Sequence, residues 1–337
     1  MPYIIGTDEA GYGPNLGPLV IAATVWEVPE GVAAEDLYTR LMRTIARKPD
    51  RAGRRVAVAD SKRLYQSGGG LGLLEHGVLS ALSLLGCRPA TWRGMWDALD
   101  GNSAAARRSV PWYGEYDAAV PIDLPAETLG GDGLADGLAS SGVRLAAIRC
   151  RAVFPQEFND AVDRLGSKGE ALSRWTLSLA ASLAEACAGP VSIVCDKHGG
   201  RNRYGGLLAD HFSAWLADEP ALARSSGLSR DLFGEPSIEP CIESRECSLY
   251  RFGPTGRTIE IGFRARAESC LPAALASMTA KYLRELAMRA FNDYWCRRIP
   301  GLCPTAGYPG DARRFYDAIA PHLAELAIPA AAVWRRK

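Results

Sequence analysis

An apolar run at residues 191–195 most restricts the fold of this chain. It follows a Gly-Pro break and ends on Asp196. Such runs are typical of strands covered on both faces of a sheet. A helical pattern precedes it at residues 170–188, with apolar side chains at Leu172, Trp175, Leu179 and Leu183. Helix followed by buried strand predicts an α/β fold.

A second pattern lies near residue 1. Residues 3–7 form a short strand-like run that arrives at Asp8, and residues 19–26 form another apolar, β-branched run. The intervening stretch is rich in glycine and proline, which predicts a hairpin.

The remaining elements follow from apolar spacing and turn residues. Residues 100–146 are expected to be irregular, and residues 218–236 to be a linker. We expect Ser269 to cap the clearest helix, with Pro272 in its first turn. Further helices are predicted at residues 35–47, 73–86, 206–216, 269–295 and 311–326, and strands at 248–252 and 258–263.

Composition narrows the functional classes. The chain has 337 residues and a net charge of +1, so it carries no global basic charge of the kind that indicates nucleic-acid binding. Its nine cysteines include no C-x-x-C pair, which favours reduced thiols and a cytoplasmic location over a disulfide framework or a structural zinc site. We expect no membrane span and no signal segment.

Four acidic residues stand at strand ends or helix starts: Asp8, Glu9, Asp196 and Glu268. Strand ends of an α/β sheet gather at one edge, and converging carboxylates need cations to offset their repulsion. Mg²⁺ or Mn²⁺ takes such oxygen ligands, and two ions about 3.5–4 Å apart serve many nucleases. The alternative is that these acids are ordinary turn or cap residues.

Five ordered segments resemble one family. G-T-D-E-A-G-Y-G-P-N-L-G-P-L-V at residues 6–20 resembles the opening signature of type 2 ribonuclease H, or ribonuclease HII. The other similar segments are D-S-K at residues 60–62, V-C-D at 194–196, A-E-S at 267–269 with the helix 273–281 behind it, and G-Y-P at 307–309. The resemblance implies a ribonuclease H-like α/β fold: a mixed β-sheet flanked by helices, with a helical C-terminal part.

Three departures accompany the resemblance. Glu268 stands where type 2 enzymes usually have Asp, as in the related type 3 enzymes, and Tyr12 replaces the usual Arg. The chain is also longer than typical type 2 members. We therefore expect a catalytic domain at residues 1–310, with insertions at about 86–150 and 218–262, followed by a C-terminal helical segment at residues 311–337.

The resemblance implies that Asp8, Glu9, Asp196 and Glu268 hold the metal ions and orient the attacking water. Around a scissile ribonucleotide, a backbone clamp that senses the 2′-hydroxyl would consist of Gly11, Tyr12 and Gly13. The alternative for these three residues is a plain hairpin turn. A plain turn would need no contact with a ligand.

Three further residues acquire substrate roles from the resemblance. Tyr308 would stack on a sugar or base, and Lys62 and Lys281 would neutralise phosphates. The alternatives are a packed tyrosine and solvated lysines. The residues after Asp196 could also bind phosphates, and His198 could move a proton, although a surface loop is the better explanation for them: Lys197, His198, Arg201, Asn202 and Arg203.

The expected function is metal-dependent hydrolysis of the RNA strand of RNA–DNA hybrids, or of ribonucleotides embedded in DNA. The products would carry 5′-phosphate and 3′-hydroxyl ends. Two alternatives stay open: a structure-specific DNA nuclease on the same fold, and a nucleic-acid-binding protein without activity. We expect a monomer.

Overall fold

A mixed seven-stranded sheet forms the centre of the protein. The computed structural model describes residues 1–49, 53–66, 69–124, 132–217, 228–230, 236–254 and 256–336. The strands are β1 (Tyr3–Ala10), β2 (Leu19–Glu27), β3 (Ile45–Ala46), β4 (Val56–Ala57), β5 (Arg144–Val153), β6 (Val191–Asp196), β7 (Leu228–Arg230), β8 (Pro236–Ile238), β9 (Pro240–Glu243), β10 (Cys247–Phe252) and β11 (Ile259–Arg264). The large sheet has the order β5-β2-β1-β6-β11-β10-β9, and β3-β4 and β7-β8 form separate pairs.

Strand pairing confirms the expected hairpin and the mixed sheet. β1 is antiparallel to β2, with Asp8 opposite Ala22, and parallel to β6, with Gly6 opposite Val194. β6 is also parallel to β11 on its other side. The two strands that carry three of the acidic residues are therefore neighbours at the middle of the sheet.

Helices cover both faces of the sheet. They are α1 (Leu37–Arg40), α2 (Ser61–Leu64), α3 (Gly72–Leu84), α4 (Trp92–Asp100), α5 (Ala104–Arg108), α6 (Pro111–Gly114), α7 (Asp132–Ser140), α8 (Pro155–Leu165), α9 (Lys168–Glu185), α10 (Gly205–His211), α11 (Ser213–Ala217), α12 (Leu271–Arg298) and α13 (Pro309–Glu325). One core joins the sheet to α3, α4 and α12, and a second joins the opposite face to α9 and α10. No described helix combines the length and the apolar character that crossing a membrane requires.

The long helix α12 is buried on nearly every side and packs against β1 and β2. Gly6 permits this contact, because a Cβ atom at that position would overlap the backbone of Pro272 and Ala273. The start of α12 is therefore pressed against β1 two residues before Asp8. This packing places the turn that precedes α12 beside the acidic end of β1.

Several expectations about local structure were wrong. Residues 100–146 are not irregular: they contain α5, α6, α7 and the start of the edge strand β5. Residues 35–47 hold only a 3₁₀ turn and the single-turn α1, because Ile45 pairs with Val56 in a parallel bridge instead of continuing a helix. Of the expected linker, residues 218–227 and 231–235 lie outside the described residues.

The start of α12 also differs from the expectation. Ser269 does not cap the helix: it ends a 3₁₀ turn, Ala267–Ser269, and Cys270 occupies the cap position. The separate turn exists because Arg266 adopts a left-handed conformation with φ of 64°. Pro272 lies in the first turn of α12, as expected.

The last described residues pack on the rest of the protein. Phe315 and Ile319 of α13 and Val333 belong to the core that contains α12. Trp334 forms a β-bridge with Leu16. The division of the chain into a domain at 1–310 and a segment at 311–337 stays a prediction.

Candidate active site

The four acidic residues come from three adjoining elements. Asp8 and Glu9 lie within β1, which continues to Ala10, and not after it as the sequence suggested. Asp196 ends the neighbouring β6, and Glu268 lies in the 3₁₀ turn before α12. All four side chains are partly buried.

A backbone hydrogen bond ties two of these elements together. The amide of Arg266 donates to Oδ1 of Asp196 at 3.0 Å. Because Arg266 adopts a left-handed conformation, the chain turns sharply between the end of β11 and Glu268. Asp196 therefore holds the turn that carries Glu268 against the end of β6.

The acidic residues influence each other's ionisation. Burial and then Glu9 raise the pKa of Asp8 well above its usual value. Burial and then Asp196 raise the pKa of Glu9 to about 7. Burial raises the pKa of Glu268, and Asp196 adds to the increase. These effects require the carboxylates to share one region in which negative charge is incompletely offset.

Lys62 lies in the same electrostatic environment. Its segment begins at Asp60, whose Oδ1 accepts a hydrogen bond of 3.0 Å from the Lys62 amide and so caps α2. Although burial lowers the pKa of the Lys62 ammonium, Asp60, Asp8, Glu268 and Glu9 together raise it. Lys62 therefore partly offsets the charge of the acidic cluster.

A pair of serines connects Asp8 to the same segment. Ser277 of α12 forms a hydrogen bond with the Asp8 carboxylate, which lowers the pKa of that carboxyl against the larger effect of burial. The Ser277 hydroxyl lies 3.0 Å from Oγ of Ser61 and accepts a bond of 3.3 Å from the Ser61 amide. Sequence reasoning identified the D-S-K segment but not Ser277, whose importance depends on contacts across 216 positions.

The donor set fits a divalent cation by its chemistry. Four carboxylates are the oxygen ligands that Mg²⁺ and Mn²⁺ take, and the raised pKa values of Asp8, Glu9 and Glu268 reflect repulsion that a cation would relieve. Among the described residues, however, no group of three or more Asp, Glu, His and Cys side chains is close enough to hold an ion.

The glycine loop comprises residues 11–18, between β1 and β2. Of its two glycines with an expected role, Gly11 and Gly13, only one is required by packing. Gly11 has a φ of 94°, and a Cβ there would lie 2.6 Å from Nε of Arg284 and from the Pro18 carbonyl oxygen. Gly13 is exposed and has no described atom within 4 Å of such a Cβ. Of Gly11 and Gly13, close packing therefore requires glycine only at residue 11.

Two buried arginines support this loop from beneath. Arg335 donates to the carbonyl oxygens of Gly11, at 2.5 Å, and Pro14. Arg284 donates to those of Leu16, at 3.3 Å, and Ala306, at 3.0 Å. Each arginine is 1% exposed. Sequence reasoning missed both, because neither belongs to a recognisable motif.

Burial and then the neighbouring Arg284 lower the pKa of the Arg335 guanidinium to about 9. Two guanidinium groups packed close together in an interior are costly unless each has several oxygen acceptors. Here three of the four acceptors, the carbonyl groups of Gly11, Pro14 and Leu16, come from the backbone of the glycine loop. Nε of both arginines and Nη1 of Arg335 have no partner among the described residues. The loop conformation and the two buried charges therefore depend on each other.

Tyr308 lies beside the glycine loop. The Gly307 carbonyl oxygen accepts hydrogen bonds from the amides of Asn15, at 2.8 Å, and Leu16, at 3.3 Å. The ring of Tyr308 is 49% exposed, with the Arg284 guanidinium carbon 5.9 Å from its centre. An exposed ring held at this place is available to a ligand.

Tyr12 points away from the loop toward the start of α9. The Lys168 ammonium lies 4.7 Å from the centre of its ring. Burial and then Glu9 raise the pKa of the Tyr12 hydroxyl. The position that lacks arginine thus has a lysine from another part of the chain beside it.

Lys281 has its described contacts within α12 and with Tyr65. Its ammonium is ion-paired with Glu285 at 2.5 Å and lies 4.7 Å from the centre of the Tyr65 ring. The phosphate-binding role expected for Lys281 stays a prediction.

The loop after Asp196 is largely held by internal contacts. The Lys197 ammonium donates to Oδ1 of Asn202, at 2.7 Å, and to the Ser244 carbonyl, at 2.6 Å. Arg201 is ion-paired with Glu170. His198 is 3% exposed, and burial followed by Arg201 lowers the pKa of its imidazole to about 4. His198 is therefore a neutral, ordered ring near pH 7.

Comparison with known proteins gives similarity in structure alone. No protein-family model and no curated protein matches the sequence. Ribonuclease HII from Archaeoglobus fulgidus, in a structure with PCNA, is 13% identical over 99% of this chain and 94% of that chain, with a TM-score of 0.39.

Two further structures are similar. Ribonuclease H2 from Pyrococcus horikoshii OT3 is 14% identical over 98% of this chain and 92% of that chain, with a TM-score of 0.40. Bst ribonuclease HIII, in complex with Mn²⁺, is 14% identical over 99% of this chain and 65% of that chain, with a TM-score of 0.36. The chain is thus similar in structure to type 2 and type 3 ribonucleases H.

Proposed function

We propose that this protein is a metal-dependent ribonuclease H. It hydrolyses the RNA strand of RNA–DNA hybrids, or ribonucleotides embedded in DNA, and leaves 5′-phosphate and 3′-hydroxyl ends. The observation that carries the proposal is the shared electrostatic environment of Asp8, Glu9, Asp196 and Glu268, beside a glycine loop held in one conformation.

In this proposal the four carboxylates hold Mg²⁺ or Mn²⁺. When bound, a pair of such ions supplies an activated water and charge stabilisation at the leaving oxygen. Ser277 keeps the Asp8 carboxylate in place through its hydrogen bond. Lys62, already close to the acids, faces the negative charge that a phosphodiester brings.

The glycine loop and Tyr308 provide substrate selection in this proposal. At Gly13, where no described atom lies within 4 Å of an added Cβ, the absence of a side chain lets a ribose approach the backbone of the loop. Gly11 and Tyr12 flank that approach, and the exposed ring of Tyr308 offers a stacking surface. A 2′-hydroxyl within reach of the loop would distinguish RNA from DNA.

A second candidate is a structure-specific DNA nuclease. Tyr12 favours it, because this residue lies in the loop that would select ribonucleotides. A tyrosine there lacks the charge of the arginine that type 2 enzymes usually have. Retention of all four acids argues against a binding protein without activity.

The nine cysteines are all free thiols, which supports a cytoplasmic location. We propose that the protein acts as a monomer.

Cleavage of three labelled duplexes tests these candidates: a uniform RNA–DNA hybrid, DNA with one embedded ribonucleotide, and plain DNA. Each is incubated with Mg²⁺, with Mn²⁺ and with EDTA, and Asp8→Asn serves as the matched control. We expect cleavage of the first two duplexes only, dependent on metal and on Asp8. Comparable cleavage of plain DNA would favour the second candidate, and no metal-dependent cleavage would overturn both.

A further inference from the structure

A small pocket lies next to the acidic cluster on the side of Tyr12. It has a volume of about 270 Å³ and is lined by Ser167, Gly169, His198, Gly199, Gly200 and Arg201. Tyr12 closes one side, since a Cβ added at Gly169 or Gly199 would lie 3.7 or 3.6 Å from its hydroxyl. The pocket therefore adjoins both the glycine loop and the strand end that carries Asp196.

The walls of the pocket favour an anion. One wall is the N-terminus of α9, an 18-residue helix whose first amides have no partner within the helix. Ser167 caps only the amide of Glu170, at 3.4 Å. The cations Lys168, beside Tyr12, and Arg201, in the pocket lining, add positive charge.

The acidic group at this place is already neutralised. Glu170, in the first turn of α9, is ion-paired with Arg201 and with Arg174. Arg174 also lies 3.1 Å from Asp210. With Lys168 included, these described side chains leave a net positive charge at the end of the helix. A phosphate there would meet attraction from the helix, the lysine and the arginine.

His198 gives an independent indication of a ligand. Its Nδ1 lies 3.1 Å from Oγ of Ser173, and that hydroxyl donates its hydrogen to the Gly169 carbonyl oxygen at 2.9 Å. With the hydroxyl hydrogen in that bond, the Ser173 oxygen accepts from Nδ1, which is the tautomer assigned here. Nε2 is left as a hydrogen-bond acceptor with no partner among the described residues, on a side chain 97% buried that lines the pocket.

We propose that this pocket binds one ribonucleotide of the bound strand: its phosphate lies at the start of α9 beside Lys168 and Arg201, and its 2′-hydroxyl donates to Nε2 of His198. The assignment rests on the proposed function, because it needs a strand of RNA in the site. It gives the chain a second place, besides the glycine loop, at which RNA differs from DNA.

The test measures binding of a short RNA–DNA hybrid to the Asp8→Asn variant, so that the strand stays intact. Single methylphosphonate or 2′-deoxy substitutions are placed at each position of the RNA in turn. Arg201→Met removes the cation, and His198→Asn keeps a donor toward Ser173 while removing the acceptor. Arg174→Met is the control, since it also breaks an ion pair with Glu170 but lies outside the pocket lining.

We expect one methylphosphonate position and Arg201→Met each to weaken binding about tenfold, with no further loss when they are combined. The 2′-deoxy substitution of that nucleotide should combine with His198→Asn in the same way. The pocket assignment would be overturned if, at every RNA position, the loss of affinity from the RNA substitution and the loss from the protein variant simply multiplied. It would also be overturned if Arg174→Met showed the same non-additive loss as Arg201→Met. Thermal melting of each variant checks that it folds.

Cleavage by the wild-type protein separates this assignment from the proposed function. Non-additive losses of affinity, with no cleavage of any hybrid, would support the pocket assignment and overturn the ribonuclease activity. Cleavage of hybrids without coupling would overturn the pocket alone.

Discussion

The guanidinium of Arg335 donates a hydrogen bond of 2.5 Å to the carbonyl oxygen of Gly11, a residue 324 positions away in the chain. The contact is reinforced by the Arg335 amide, which donates to the Asn15 carbonyl at 2.8 Å, and by the Asn15 side chain, which donates to the Arg335 carbonyl at 2.9 Å. The loop beside the candidate metal site is thereby fixed by residues from the other end of the described chain.

Arg335→Met should reduce hybrid cleavage by about 100-fold, because the carbonyl groups of Gly11 and Pro14 lose their donor and small displacements at a reacting centre have effects of this size. Cleavage rates at saturating Mg²⁺ measure it. Arg336→Met is the control: its ion pair with Asp163 is exposed, and such pairs contribute about 0–1 kcal/mol. Equal rates for the two variants would contradict the supporting role of Arg335.

Gly6→Ala should destabilise the protein by at least about 2 kcal/mol, because the added methyl group overlaps the backbone at Pro272 and Ala273, which belongs to a buried helix. Urea unfolding gives the free energy of unfolding. Gly13→Ala serves as the matched variant, since its methyl group meets no described atom within 4 Å. The explanation fails if the two variants have the same stability.

Ser277→Ala should weaken Mn²⁺ binding about tenfold, since it removes the hydrogen bond that orients Asp8, and groups behind metal ligands commonly have effects of this size. Isothermal calorimetry measures the affinity. Thr279→Val is the control on the same helix, because the Thr279 hydroxyl donates only to the Leu275 carbonyl, at 2.8 Å. Unchanged affinity in Ser277→Ala would remove that serine from the site.

Glu9→Gln should stabilise the metal-free protein at neutral pH. The folded-state pKa of Glu9 is raised from 4.5 to about 7, so the folded protein holds a proton more tightly than the unfolded chain. The cost of ionising Glu9 is absent below pH 4.5, develops between pH 4.5 and 7, and is complete above pH 7.

Thermal or urea unfolding in EDTA should therefore show equal stability of wild type and Glu9→Gln near pH 4. A gap on the order of 2 kcal/mol in favour of the variant should open by pH 8. Saturating Mn²⁺ should stabilise wild type and narrow the gap. A gap that does not depend on pH would show that ionisation of Glu9 is not its cause.

The parts of the fold that could be predicted from sequence are those with local patterns. β6 and the β1–β2 hairpin carry continuous apolar runs and a glycine-rich turn, so their acids could be placed at one edge of a sheet. The edge strand β5 was missed because its pattern is interrupted by arginines that face outward. Lys281 and Glu285 have helical i,i+4 spacing, from which their ion pair could have been predicted.

The supporting contacts of the site could not be predicted in this way. Ser277 reaches Ser61 across 216 positions, and Arg335 reaches Gly11 across 324. Such pairs are fixed by how the helices pack on the sheet, which no short window of sequence contains. Sequence motifs thus identify the candidate reactive residues more readily than the residues that hold them in place.

The long separation between Arg335 and Gly11 also has a consequence for synthesis. A ribosome makes the Gly11 loop more than 300 residues before the arginine that supports it. Until that arginine emerges, the carbonyl groups of Gly11 and Pro14 lack this donor. A nascent chain therefore carries its acidic residues long before the loop beside them gains the side chain that supports it.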